Sequence, residues 1–207
     1  MPATCAHGQA TSKGLGFSLV AQLAFYGAYH NNKYNQIIHF FFVPTITWSV
    51  FIWAASVSLA EEGSQKEVLP FLPSAVLDHM HLNLGALLTL ILSLFYVVLE
   101  PFAGFTWSLV VGIPLLLSAN AFSETEFSAW YACGAFLLGW YMQIHPGHLI
   151  LEGRRPAITD SLFQSLVMAN LFVWMELLFV LGYRPGLKKL VQEAVDRDIK
   201  MWRQRED

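Results

Sequence analysis

Histidines are the residues of this 207-residue chain whose type and placement most suggest chemistry. A polar ring close to hydrocarbon is costly unless it is paired, so ionisable groups in apolar segments are candidates for function. Neutral imidazole is also the commonest protein ligand for iron, copper and zinc. Six of the seven histidines lie within or beside uncharged apolar stretches: His30, His39, His79, His81, His145 and His148.

Two pairs of histidines are predicted to meet at one end of the molecule. His30 precedes the first long apolar stretch and His39 lies inside its start, whereas His145 and His148 lie at the end of the fourth. On an α-helix His145 and His148 share a face, although the Pro-Gly pair between them is expected to distort the turn. Such a cluster predicts a metal site, and three or four histidines with one carboxylate suit a redox iron. The alternative is that the rings only satisfy one another at helix ends.

Charged residues that follow the last histidine pair are further candidates. Glu152 could ligate the metal, accept a hydrogen bond from a ligand imidazole or mark the water interface, and support of a ligand is the favoured interpretation. Arg154 and Arg155 are typical of anchors at a cytosolic membrane face, or one of them could hold a substrate carboxylate through two hydrogen bonds. His79 and His81 lie near the opposite membrane face, where helix capping or interfacial hydrogen bonding is favoured over metal binding.

The composition indicates which kind of structure positions these side chains. Hydrophobic residues make up 55% of the chain and charged residues only 13%, whereas an ordinary soluble domain has about 25% charged residues. This composition argues against a soluble globular enzyme and a disordered chain, and the net charge of −3 argues against a nucleic-acid partner. Two cysteines are too few for a disulfide framework. The sequence therefore predicts a membrane protein.

Charge-free stretches predict the membrane-spanning helices. A helix needs about 20 residues to cross the hydrocarbon, and four stretches have that length or nearly so: residues 35–60, 79–99, 101–123 and 127–151. A fifth, residues 161–183, is as long but contains Glu176. The positive-inside rule places the basic residues beside the first stretch, those after the fourth and the basic tail in the cytosol. The fifth helix is therefore predicted to be re-entrant or packed within the bundle.

The predicted fold is all-α, a polytopic membrane helix bundle. It has four spanning helices, a fifth re-entrant or packed hydrophobic helix, and amphipathic helices at the N- and C-terminal sides. Residues 1–14, which include His7, are predicted to be disordered, residues 15–185 to form the membrane-embedded domain with the site, and residues 186–207 to form a charged C-terminal helix.

Two motifs resemble a known family. One is LAFYGAYHNNKYNQIIHFFFVPTI at residues 23–46, and the other is GHLILEGRRPAITDSLFQSL at residues 147–166, followed by ELLFVLGYR at residues 176–184. From about residue 15 to residue 190 the chain resembles the 2-hydroxy fatty acid dioxygenases of the endoplasmic reticulum. In fungi that family acts in phytosphingosine breakdown, a part of sphingolipid metabolism.

The resemblance implies an Fe(II)-dependent α-oxidation in lipid metabolism. A 2-hydroxy fatty acid and O₂ would give the acid one carbon shorter plus CO₂, without 2-oxoglutarate. His30, His39 and His148 match the family's motif histidines, whereas the role of His145 as a fourth ligand rests on spacing. The substrate's 2-hydroxyl and carboxylate would bind Fe(II), and Arg154 or Arg155 would steady the carboxylate.

The resemblance also implies where the protein works and with what. It implies the endoplasmic reticulum membrane, and the predicted topology makes the protein multi-pass with its metal site near the cytosolic face. Its partners would be the 2-hydroxy fatty acid, O₂ and membrane lipid, with no nucleic acid, and the sequence indicates no particular protein partner.

Two other functions remain open. A di-metal membrane lipid hydroxylase or desaturase would need H-x-x-x-H and H-x-x-H-H boxes, and this chain has no H-x-x-H-H box. A non-enzymatic lipid-binding or membrane-shaping protein would use the histidines structurally and would retain no transition metal.

Overall fold

The described part of the chain is helical. The structure, a computed structural model, describes residues 18–61, 63–156, 158 and 162–206. Within these residues the one β-type pairing is an isolated bridge between Ser58 and Asn83. The all-α prediction is therefore confirmed, whereas the predicted disorder of residues 1–14 lies outside the described residues.

The helices follow one another with short connections. In chain order they are α1 (Leu19–Tyr29), α2 (Lys33–Ala55), α3 (Ser64–Val68), α4 (Ser74–Leu77), α5 (Leu84–Leu99), α6 (Pro101–Trp107), α7 (Ile113–Ser123), α8 (Ser128–Met142), α9 (Leu162–Leu166), α10 (Met168–Val180) and α11 (Pro185–Glu206). Two π-helical segments continue these helices without a break. The first, π1 (Ser108–Gly112), joins α6 to α7, and the second, π2 (Gln143–Glu152), extends α8.

Each of the four predicted stretches contains a helix, but their lengths differ. Among the described residues, two helices are long and apolar enough to cross a membrane, Lys33–Ala55 and the continuous run Pro101–Ser123. The second stretch becomes helical only at Leu84, because the side chain of Asn83 caps α5 by accepting a hydrogen bond from the N–H of Ala86 (3.0 Å). Length and composition therefore mark two helices as possible membrane spans.

A sharp turn between α5 and α6 depends on Glu100, Pro101 and Gly104. The carboxylate of Glu100 accepts a hydrogen bond from the N–H of Ala103 (2.6 Å), and Pro101 opens α6 at a position where its missing N–H costs nothing. A Cβ atom at Gly104 would overlap the backbone of Tyr96, so only glycine permits this close approach.

The fifth hydrophobic stretch lies inside the bundle. It forms α9 and α10, and nine of the 13 residues of α10 are buried among α1, α2 and α6. Thr47, near the middle of α2, donates a hydrogen bond to Oδ1 of Asn170 (3.1 Å). Beyond the end of α10, Tyr183 and Arg184 bind Glu100 at the α5–α6 turn. Both ends of α10 are thus fixed to other helices.

The charged C-terminal helix α11 packs on α1. Its apolar residues Leu187, Val191 and Val195 are buried, while most of its other side chains face outward. Gly27 of α1 provides the contact surface, since a Cβ atom there would lie 2.9 Å from a methyl group of Val195. This packing covers α1, whose last residues lead into the candidate site.

Candidate metal centre

Three histidines from separate parts of the chain meet in the interior. His30 lies in the linker after α1, His39 in the second turn of α2, and His148 within π2. Each residue is only 2% exposed. Their ligand atoms lie within 4.8 Å of one another. At that spacing, small side-chain movements bring all three to a metal–nitrogen distance of about 2.0–2.1 Å.

The hydrogen bonds of two rings leave their second nitrogen free to bind a cation. The Nδ1–H of His30 donates to the carbonyl oxygen of Tyr26 (2.8 Å), and the Nδ1–H of His39 donates to that of Asn35 (3.0 Å). In a neutral imidazole the other nitrogen then carries a lone pair. The two Nε2 atoms face each other at 3.1 Å with no proton to share. A cation between the rings would satisfy both.

His30 is held neutral and in one orientation. Burial, with a further contribution from the neighbouring rings of His39 and His148, holds the pKa of His30 well below its usual value. Tyr26 stacks on the His30 ring with the centroids 4.0 Å apart. Because only a neutral imidazole offers a lone pair, burial keeps His30 in the form that binds metals, and the stacking on Tyr26 holds the ring in one orientation.

His148 completes the cluster with an unsatisfied nitrogen. Its ring centroid lies 4.7 Å from that of His30 and 5.3 Å from that of His39. Its Nδ1 is buried without a hydrogen-bond partner, a situation that costs about 1–3 kcal/mol if nothing fills it. A cavity of about 30 Å³ adjoins the three rings. A water molecule needs about 10–15 Å³, so an ion and one small ligand have room there. The residues present fit a metal ion.

The local sequence of π2 explains how His148 reaches α2. Pro146 lacks an N–H, and its ring would clash with a carbonyl one turn back in a regular α-helix, so the turn widens. Gly147 lets π2 lie directly against α2, because a Cβ atom there would be 2.5 Å from Oδ1 of Asn35. Gly153, with φ of +62°, ends the segment. The result is a buried His148 side chain.

Glu152 links the two segments that carry His39 and His148. Its Oε1 accepts hydrogen bonds from the backbone N–H of Asn32 (2.8 Å) and from Nδ2 of Asn35 (3.0 Å). The carbonyl of Asn35 in turn accepts the Nδ1–H of His39. Glu152 is therefore linked to the His39 ring through Asn35. The sequence predicts instead that its carboxylate accepts a hydrogen bond directly from a ligand imidazole.

The structure does not bring His145 to the other three histidines. Its ring is exposed and stacks on Tyr141, with the centroids 5.4 Å apart. In an α-helix, the i, i+3 spacing of His145 and His148 would place the two rings on one face. The wider turns of π2 place them on different faces.

Neither Arg154 nor Arg155 lines the cavity beside the histidines. The guanidinium of Arg154 donates to the carbonyl oxygen of Ala28 (2.8 Å) and lies 3.8 Å from the centroid of the Tyr29 ring. It therefore fastens the end of π2 to the end of α1, close to His30. Arg155 is exposed.

His79 and His81 belong to a separate group of contacts around the end of α7. The His81 ring lies 3.4 Å from the carboxylate of Glu124. The carbonyl of His79 accepts a hydrogen bond from Asn120 (2.8 Å). These contacts agree with the predicted hydrogen bonding at a helix end.

Sequence reasoning missed two residues of the cavity, Gln143 and Ser165. Both line it, and the Nε2 of Gln143 and the Oγ of Ser165 are buried without a hydrogen-bond partner. A lone amide in the apolar stretch 127–151, five residues before His148, was a signal for Gln143. The position of Ser165 depends on how α9 packs, so its sequence neighbours carried no such signal.

The fold and the site together define an apolar helical protein with a buried three-histidine pocket that could hold a metal. A family described as 2-hydroxy-palmitic acid dioxygenase Mpo1-like matches residues 17–181. The 2-hydroxy-palmitic acid dioxygenase MPO1 of Saccharomyces cerevisiae is 34% identical over 191 residues, which cover 90% of this chain and 96% of the yeast protein. This chain therefore belongs to the Mpo1-like family, and the predicted family resemblance is confirmed. No solved structure matches the chain.

Proposed function

We propose that this protein is an Fe(II)-dependent dioxygenase that shortens 2-hydroxy fatty acids by one carbon. One 2-hydroxy fatty acid and one O₂ give the shortened fatty acid, CO₂ and water. The observation that carries the proposal is that one ring nitrogen from each of His30, His39 and His148 lies within 4.8 Å of the other two in a buried pocket. The chain's membership of a family described by 2-hydroxy-palmitic acid dioxygenase activity supports the choice of substrate class.

The three histidines would hold the iron, and the surrounding residues would orient their rings and keep them away from water. Fe(II), when bound, supplies the redox chemistry with O₂ and leaves positions open for exogenous ligands. The carbonyls of Tyr26 and Asn35 fix the tautomer of two rings, and this orients their Nε2 atoms toward the ion. Burial of all three rings keeps bulk water away from the reacting atoms.

We further propose that the protein crosses the endoplasmic reticulum membrane four times, with the iron site near the cytosolic face. Large apolar side chains remain exposed along α5, π1 and α8, which is expected of surfaces that face lipid. The fifth hydrophobic stretch would enter and leave on the cytosolic side. Its packing is consistent with this path, because the end of α10 lies beside Glu100 at the α5–α6 turn.

Two residue roles stay predictions. Arg154 or Arg155 would steady the substrate carboxylate; the guanidinium of Arg154 contacts the end of α1, and the side chain of Arg155 is exposed. His145 as a fourth iron ligand would need π2 to rearrange, because its ring now stacks on Tyr141.

A turnover assay with matched variants tests the proposal. Purified protein loaded with Fe(II) is supplied with 2-hydroxypalmitate and O₂, and the C15 acid and CO₂ are measured. We expect His148→Ala to abolish conversion and His79→Ala to leave it unchanged, since the hydrogen bond at His79 uses only its backbone. Wild-type protein that forms no C15 acid, or His148→Ala protein with undiminished conversion, would contradict the proposal.

Metal stoichiometry separates the proposal from its two alternatives. A di-metal hydroxylase or desaturase would contain two irons per chain, and a non-enzymatic lipid-binding protein would contain none. Among the described residues there is one group of histidines that could hold a metal, and this favours a single iron.

A further inference from the structure

The cavity beside the histidines contains two more polar groups that lack partners. Gln143 of π2 is 7% exposed, and its Nε2 has no hydrogen-bond acceptor. The Oγ of Ser165, in α9, is buried and equally unpaired. Besides the three histidines and Tyr26, the same cavity is lined by Trp140, Ile144, Pro156 and Ile158. Two segments of the chain therefore bring unpaired hydrogen-bonding groups to one small cavity beside the histidines.

The chemistry of these two groups indicates what kind of ligand they would take. An amide nitrogen donates hydrogen bonds and has no lone pair for a metal, and a serine hydroxyl also donates. A buried donor without a partner costs free energy, which a ligand oxygen recovers. Hydrogen bonds to a charged oxygen are shorter and stronger than those to a neutral one. The pair thus suits an anionic oxygen group beside the metal.

We propose that Gln143 and Ser165 donate hydrogen bonds to the carboxylate of a fatty acid substrate. This inference rests on the proposed function and names the residues that recognise the substrate's head group. At about 30 Å³ the cavity accommodates only a few atoms, so the acyl chain lies outside it. In the substrate-free protein, water molecules would satisfy the same donors, and the carboxylate would displace them.

The test measures substrate binding separately from turnover. Protein loaded with Zn(II), which does no redox chemistry, is titrated with 2-hydroxypalmitate by equilibrium dialysis. We expect Gln143→Leu to raise the Kd by about 10-fold or more, the usual effect of losing a hydrogen bond to a charged group, and Ser165→Ala to raise it in the same direction. Gln192→Leu, the same change on the exposed face of α11, serves as the matched control and leaves the Kd unchanged.

A second probe distinguishes recognition of the carboxylate from a structural role. Hexadecane-1,2-diol keeps the chain length and the 2-hydroxyl but lacks the carboxylate. We expect wild-type protein and the Gln143→Leu variant to bind this diol with equal affinity, and to have the same zinc content and melting temperature.

Several results would overturn the inference. They are an unchanged Kd for 2-hydroxypalmitate in Gln143→Leu, an equal loss of affinity for acid and diol, loss of zinc or stability in that variant, and a wild-type protein that binds no 2-hydroxypalmitate. If the carboxylate-dependent effect is found while the iron-loaded enzyme converts nothing, the inference stands and the proposed dioxygenase activity fails.

Discussion

Two backbone carbonyls orient two histidine rings of the candidate site. The carbonyls of Tyr26 and Asn35 accept the Nδ1 protons of His30 and His39, which leaves two Nε2 lone pairs 3.1 Å apart. Two facing lone pairs repel each other until a cation binds between them. A metal ion held by both nitrogens would replace this repulsion with attraction.

Removing one ring tests which nitrogens bind the ion. Losing a residue that only hydrogen-bonds to a metal ligand commonly lowers metal affinity by about 10–100-fold. His148 is a proposed ligand itself, so we expect His148→Ala to cause a larger loss of affinity for Co(II), a spectroscopic substitute for iron. His145→Ala is the matched control, because its exposed ring stacks on Tyr141. Competition titration followed by the Co(II) absorption spectrum measures both. Equal losses for the two variants would establish His145 as a ligand and contradict the three-histidine site.

Substitution of Glu152 tests how the His39 ring is positioned, because Glu152 is linked to that ring through Asn35 and does not contact it. In Glu152→Ala the N–H of Asn32 and the side chain of Asn35 lose their shared acceptor, and unfulfilled buried donors cost about 1–3 kcal/mol. We expect a lower free energy of unfolding and metal affinity reduced by about 10-fold. Glu152→Gln, which keeps an acceptor oxygen, restores most of both. Wild-type metal affinity in Glu152→Ala would show that this link does not position His39.

At the level of elements, the contact between π2 and α2 determines whether the site forms. Gly147 is the point of closest approach, and an added methyl group would meet Oδ1 of Asn35 at 2.5 Å. Overpacking of this kind typically costs about 1–3 kcal/mol. We expect Gly147→Ala to lower both the free energy of unfolding and the metal affinity, as measured by chemical denaturation and Co(II) titration.

Gly134 is a control on a neighbouring helix. It lies in α8, and an added Cβ atom there has no neighbour within 4 Å. Since alanine is favoured over glycine in a helix by about 0.5–1 kcal/mol, Gly134→Ala should be neutral or stabilising. Equal destabilisation by the two substitutions would contradict the close packing of π2 on α2.

The junction at Glu100 connects the α5–α6 turn to the link between α10 and α11. Its buried carboxylate accepts hydrogen bonds from Ala103, from Tyr183 (3.0 Å) and from Arg184 (3.2 Å). Glu100→Ala leaves these donors without their acceptor, so we expect a loss of about 1–3 kcal/mol in the free energy of unfolding. Lys66→Ala removes an exposed ion pair instead and should change stability little. Equal effects of the two substitutions would show that the Glu100 junction is unimportant.

For the whole molecule, the proposed four crossings make a simple prediction of sidedness. In a variant without Cys5 and Cys133, single cysteines replace Glu126, between α7 and α8, and Lys189 in α11. We expect a membrane-impermeant maleimide to label the cysteine at 189 in vesicles whose cytosolic face is outward. The cysteine at 126 should react only after permeabilisation, and labelling of both in intact vesicles would contradict four crossings.

The sequence predicts the features that depend on where charged residues fall and on the alternating directions of successive predicted membrane crossings. The run Pro101–Ser123 is helical over the predicted range because Glu100 and Glu124 bound it. The predicted topology groups His30, His39 and His148 because every second crossing would return the chain to the same side. Regular α-helical spacing would add His145 to this group, whereas Pro146 widens the turn into π2.

Other features depend on packing between segments that are distant along the chain. The link between Glu152 and Asn35 joins residues more than 100 positions apart, and Ser165 reaches the cavity only through the placement of α9. No local pattern encodes such contacts, since each residue alone is ordinary for a turn or a helix end. These long-range contacts are therefore visible only in three dimensions.

The iron content of the protein tests the central claim most directly. Wild-type protein purified gently in detergent, His148→Ala and His79→Ala are analysed for transition metals by elemental analysis. We expect one iron per chain in the wild type and in His79→Ala and almost none in His148→Ala, because His148 belongs to the buried three-histidine cluster and His79 does not. Wild-type protein without a bound transition metal, or with equal iron in all three preparations, would contradict a metal centre at these histidines.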